Sequence, residues 1–230
     1  MQVTKTTLQD LGACPQAIAW LQANYPNGLP ATPESIALVP HPGWIDWLLQ
    51  SLFGHADYAA LWTAAGWQVI QPGEQGEIKE RAVIFQGTAT LRLRRRALLY
   101  TYGSSAPVVT VEPGGEQVSY GSSAPVVTVE QGGQQLSYGS SAPVVTVGPG
   151  GRQVSYDRSA PVVTVGPEGK QVSRDRSAPV VTVQPGGGQV SFDGSAPVVT
   201  VQPGAQQISY DRSAPVVTAS GALAVRAPEH

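Results

Sequence analysis

An 18-residue unit runs seven times between residues 103 and 218 without losing register. Its fullest copies read Ser-Ala-Pro-Val-Val-Thr-Val-x-Pro-Gly-Gly-x-Gln-Val-Ser-Tyr-Asp-Arg, and the Ala-Pro pair recurs at Ala106, Ala124, Ala142, Ala160, Ala178, Ala196 and Ala214. A fixed period without insertions marks a stacked repeat architecture, in which each unit buries its apolar face against its neighbours.

Each unit holds two strand-like runs, Pro-Val-Val-Thr-Val and Gln-Val-Ser-Tyr. One turn between them is Glu112-Pro113-Gly114-Gly115. Proline presets φ at its second position and glycine accepts positive φ at its third, which suits a type II turn. The other is a corner around Tyr-Gly/Asp-Ser/Arg-Ser-Ala-Pro. Two strands and two turns predict a mainly β fold, a two-sided β-solenoid of 18-residue coils capped by a small α-helical N-terminal domain. A three-sided coil of hexapeptides fits less well: steps of six lead from Val109 to Gly115 and Gly121, and from Val118 to Ala124 and Glu130. No frame keeps a large aliphatic on all three sides. The calcium β-roll needs Gly-Gly-x-Gly-x-Asp in each half-coil, and the aspartate column here is glycine at Gly103, Gly121 and Gly139. An antiparallel meander remains the rival. A disordered elastomer is opposed by the β-branched Val-Val-Thr-Val runs.

The stretch 85–102 reads as a degenerate first rung. A shift of 18 places Leu91-Arg92-Leu93-Arg94 on Val109-Thr110-Val111-Glu112. Arginine almost never enters a dry core unpaired, so the Val109 and Val111 columns are expected inside and the Val108 and Thr110 columns outside. On the second strand the always-aliphatic column Val118, Leu136, Val154, Val172, Val190 and Ile208 is expected inside, with Gln117 and Ser119 outside. Arg174 in the Tyr120 column places that column at a corner.

All five tryptophans lie before residue 68, and residues 1–70 carry helical signals. Thr7 is a candidate cap, Pro15 opens a helix with Ala17, Ile18 and Leu21, and Thr32-Pro33-Glu34 opens another. Trp44, Ile45, Trp47, Leu48, Leu49 and Leu52 recur at helical spacing. The expected division is a helical domain over 1–75 and a solenoid over 76–230. Leu11-Gly12-Ala13-Cys14, Ala17, Trp20-Leu21 and Trp44-Ile45-Asp46-Trp47-Leu48-Leu49 resemble a small helical module of uncharacterised bacterial and phage proteins that precedes repetitive solenoidal tails. The resemblance implies no activity.

Residues 1–100 hold equal numbers of acidic and basic side chains, and the formal net charge of the whole chain is −2. Neither a basic nucleic-acid surface nor an acidic tail is present. The first ten residues lack an apolar signal-peptide core, and no run nears the ~18 apolar residues of a membrane span. A cytoplasmic protein without membrane or nucleic-acid partners is therefore expected. Cys14, His41 and His55 have no paired metal-ligand spacing, and Cys14 near a helix start is expected to be buried or capping. Asp46 and Asp57 are expected on a solvated helix face, and Arg92-Leu93-Arg94-Arg95-Arg96 is a local basic run. No catalytic, cofactor or metal site is expected, and the chain is expected not to be an enzyme.

The candidate binding face is the outward ladder of Val108, Thr110, Val126, Thr128, Val144, Thr146, Val162, Thr164, Val180, Thr182, Val198, Thr200, Val216 and Thr218. Exposed apolar arrays of this extent mark interfaces. The expected role is a structural or binding repeat protein that meets a protein partner or itself, forming a homo-oligomer through this face or the C-terminal end, where Ala219 replaces an inward valine and Ser220-Gly221-Ala222 follow. The alternative is ice binding, because ice-binding solenoids present similar Thr-x-Thr ladders.

Overall fold

A computed structural model describes residues 1–210, 212–219 and 223–226. The chain divides into two compact units, residues 1–69 and residues 70 onward.

The first unit is helical. Helix α1 spans Lys5–Asp10, α2 Pro15–Asn24, α3 Pro33–Ala37, α4 Pro42–Leu52 and α5 Ala59–Ala64. Thr4, not Thr7, caps α1; Thr7 sits at the third helical position and completes a reciprocal capping box with Thr4. Thr32 caps α3, accepting from the Ser35 amide at 3.3 Å. Leu8, Leu21, Ile36, Leu48, Leu49, Leu61 and Trp62 are buried. The Trp62 indole donates to the Phe53 carbonyl at 2.8 Å, so its one polar atom is satisfied.

The second unit is a two-sided parallel β-solenoid of about eight coils. The Val-Val-Thr-Val strands, from Val108–Val111 to Val216–Ala219, stack like on like: Val108 pairs with Val126, Val126 with Val144, and so on to Val198 with Val216. With Gln75–Ile78 and Thr90–Leu93 they complete a nine-stranded sheet. The second strands, among them Glu116–Ser119 and Arg152–Ser155, form another sheet in the same way. Parallel pairing at every step excludes the meander, and two strands per coil exclude the hexapeptide frame. Gly114 at φ +75° and the Gly115 N–H bonded to the Glu112 carbonyl at 2.9 Å give the expected tight turn. The other corner is Tyr120–Ser123, closed by a 3.3 Å bond from the Ser123 amide to the Tyr120 carbonyl. Its second residue has positive φ, whether glycine as at Gly121 or aspartate as at Asp157, Asp175 and Asp193.

The degenerate rung pairs as the shift of 18 places it: Leu91 against Val109, Arg92 against Thr110 and Leu93 against Val111. A further rung precedes it. Gln75–Ile78 pairs with Thr90–Leu93 and Arg81–Gly87 with Leu98–Ser105, with a register shift between Ile84 and Gln86. The step on the first sheet is then fifteen residues, so the period of 18 does not reveal it. At the far end Leu223–Arg226 pairs with Gln206–Ser209. Val217 is half-buried and Ala219 exposed, so the core thins there. Ser220, Gly221 and Ala222 lie outside the described residues.

The first sheet buries Val109 and Val111 and their copies, as expected. The second sheet is turned the other way. Gln117, Ser119, Gln135, Ser137, Gln153, Ser155, Gln171, Ser173, Gln189 and Ser191 are all fully buried, and the Val118 column is not part of the core cluster. The expectation that Val118 faces in and Gln117 and Ser119 face out is corrected. Alternation along a strand allows only one of the two sets inside. The polar set is stable there because it is mutually satisfied. The Gln153 amide donates to Ser155 in its own coil and to Ser137 in the preceding coil, while the Ser155 hydroxyl lies 3.3 Å from the Gln153 carbonyl oxygen. Outside, Val118 and Val154 are nevertheless buried, between the columns that begin at Glu116 and Tyr120.

Candidate binding face

Alternation on Val-Val-Thr-Val sends the first valine and the threonine outward. Val108, Val126, Val144, Val162, Val180 and Val198 are each 47–50% exposed, a nearly constant value over six rungs, and Val216 is 63% exposed. Thr128, Thr146, Thr200 and Thr218 are exposed, while Thr110, Thr164 and Thr182 are half-buried. The structure thus brings all fourteen expected residues onto one face, in two straight columns.

A third column belongs to the same face. The Ala-Pro pair lies within the ladder, beyond the corner: the Ala124 amide bonds to the Ser105 carbonyl at 3.0 Å and the Val126 amide to the Pro107 carbonyl at 2.9 Å. Each proline is turned in and the preceding alanine out, so Ala124, Ala142, Ala160, Ala178, Ala196 and Ala214 are exposed beside the valines. Reading Ser-Ala-Pro as corner hides this column. Its signal is the alternation Ala-x-Val-x-Thr, which continues unbroken through the proline. Seven rungs at ~4.8 Å and three columns at ~6.7 Å make a face of about 29 by 13 Å. No residue of these three columns carries a charge. Valine and threonine have restricted χ1, so the methyl rows are stiff.

Charge begins where the array ends. Arg92 occupies the threonine column one rung before Thr110 and pairs with Glu112, with Glu130 at 3.8 Å. Arg94 lies 2.6 Å from Glu112 and also pairs with Glu77. The hydrogen bond from Arg94 holds the Glu77 carboxyl below the usual carboxylate range, and that from Arg92 does the same for Glu112. The basic run is therefore partly neutralised by carboxylates from neighbouring coils.

The second outer face is different. Tyr102, Tyr120, Tyr138 and Tyr156 stack ring on ring at 4.7–5.2 Å, and Phe192 and Tyr210 continue the line after Arg174, whose guanidinium carbon lies 5.0 Å from the Phe192 ring centre. The planar guanidinium stands in the column where a ring is missing and packs on the next ring, Phe192.

In the helical unit, Cys14 stands at the N-cap of α2 but is exposed and makes no side-chain cap bond, which corrects the expectation that it is buried or capping. Asp46 accepts from the Trp67 indole at 3.0 Å, and Asp57 lies 3.2 Å from His55. His41 packs edge-on against Trp44 at 4.4 Å. Among the described residues, no three His, Cys, Asp or Glu side chains gather to hold a metal ion, and no helix is long and apolar enough to cross a membrane. No protein-family model matches the chain, and no curated protein and no solved structure matches it.

Proposed function

We propose that this chain is a non-enzymatic structural and binding protein, and that its working surface is the Ala/Val/Thr face, met by a second copy of the chain or by another protein. The supporting observation is an uncharged, in-register array seven rungs long, flanked by polar turns. Only a partner with matching period can use every rung equally, and a second copy has that period. The face covers ~400 Å², within the size of the largest apolar patches on monomers but about half the ~800 Å² that each partner gives to a standard interface. Association is therefore weak and needs high protein concentration. Sedimentation velocity over a concentration series tests it. The native chain is expected to self-associate, and Val144→Lys with Val162→Lys to stay monomeric while remaining folded. A native chain that is monomeric throughout removes the self-association reading.

Ice is the second reading. It is favoured by what the columns are made of: alanine, valine and threonine, without the aromatic and arginine anchors that carry most protein interfaces. Freezing-point hysteresis of the purified protein, lost in the same double variant, supports it. Its absence at high concentration sinks it.

A further inference from the structure

The tyrosine stack is independent of the Ala/Val/Thr face. Tyr102 and Tyr120 are 5.0 Å apart and 9° from parallel, Tyr120 and Tyr138 5.2 Å and 14°, and Tyr138 and Tyr156 4.7 Å and 3°. The last pair is the closest and the most parallel of the three. Its backbone is clamped, since the Tyr138 amide bonds to Ser119 and the Tyr156 amide to Ser137, each at 2.9 Å. The two rings therefore lie face to face, one rung apart. Tyr138 and Tyr156 are half-buried, so water reaches the pair. Tyr102 is buried, and burial pushes its phenol and that of Tyr120 far up, against about 12 for Tyr138. Proton loss is thus harder toward the start of the stack. Arg174 ends the run of phenols, and Phe192 beside Tyr210 has no hydroxyl to oxidise.

We infer that Tyr138 and Tyr156 form an intrachain oxidative coupling site, at which a one-electron oxidant of the haem-peroxidase class, fed by hydrogen peroxide, joins the two rings. Each phenol gives one electron to the oxidant and one proton to water. The two phenoxyl radicals combine by a carbon–carbon bond between the positions next to the hydroxyls. The hydrogens on those carbons move to the oxygens and restore two phenols. The balance is two tyrosines and one peroxide giving one dityrosine and two waters. The product is a covalent staple between adjacent coils of the second sheet.

The test uses the full chain at high dilution with a haem peroxidase and hydrogen peroxide. Dityrosine fluorescence is expected in the monomer band. Trypsin is expected to release fragments 97–152 and 153–158 joined together. Tyr156→Phe keeps a ring in the stack, as Phe192 does, and is expected to abolish that link. Arg174→Tyr lengthens the run of phenols and is expected to add a link between fragments 153–158 and 171–176. Fluorescence only in bands of higher mass, or a fluorescent monomer that yields 153–158 unlinked, overturns the inference. Should Tyr156→Phe fail to fold, the fragment map of the native chain and of Arg174→Tyr decides alone.

Discussion

The Gln153 side-chain amide lies 3.1 Å from the Ser155 hydroxyl of its own coil and 3.3 Å from the Ser137 hydroxyl of the preceding one. The bonds of Gln171 to Ser173, Ser155 and Gln153 extend the pattern by a coil. Truncating one glutamine takes a donor from Ser137, a donor and an acceptor from Ser155, and an acceptor from the Gln171 amide, all of them buried. Gln153→Ala is expected to destabilise by about 2 kcal/mol, the cost of unsatisfied buried groups. Arg152→Ala, on the exposed side of the same strand, is expected within ~0.5 kcal/mol of native. Equal midpoints and slopes for the two variants in urea would show that the polar ladder does not face inward.

The same contrast applies to neighbouring valines. Val145 is 1% exposed and Val144 is 49% exposed. Val145→Ala removes buried methyls and leaves a cavity, for about 2 kcal/mol. Val144→Ala is expected to cost under ~0.5 kcal/mol. Denaturant unfolding of the pair measures the difference.

Glu168 occupies the turn position that is glycine at Gly114, Gly132, Gly150, Gly186 and Gly204, with φ +59°. A side chain with Cβ is strained there by roughly 1–2 kcal/mol. Glu168→Gly is expected to raise stability by up to about 1 kcal/mol, since glycine also loses more backbone freedom on folding. Asp157→Gly, also at positive φ, is expected to gain less, because aspartate tolerates this region. Thermal midpoints order the two.

Burial raises the phenols of Tyr102, Tyr120 and Tyr138, the last to about 12. A raised folded value means the folded state holds the proton more tightly. The stabilisation is fully present below the unfolded value near 10 and is lost as pH climbs through the folded values. Stability is expected to fall between about pH 10 and 12, in step with phenolate absorbance. Phenols that ionise near 10 with no loss of stability would contradict the buried stack.

The first strand was legible because its degenerate copy labels the outside: Leu91 and Leu93 alternate with Arg92 and Arg94. The second strand carries no such label, and its one aliphatic column invites the assumption that apolar means inward. Gln153 and Ser155 defeat that assumption by satisfying each other, while the Tyr120 and Glu116 columns flank the valines from outside. The rung at Gln75–Ile78 was hidden by a change in turn length, since strand pairing conserves register and not spacing in sequence. Ala124 was missed because proline reads as a corner, although Pro125 keeps the extended path and only its missing N–H is peculiar.

Like-on-like pairing has a consequence for length. Val126, Val144 and Val162 occupy interchangeable environments, so excision of residues 144–161 rejoins a strand to a neighbour it already matches. The protein can gain or lose whole coils by recombination between equal units, and every such event changes the extent of the Ala/Val/Thr face by one row while leaving its chemistry unaltered.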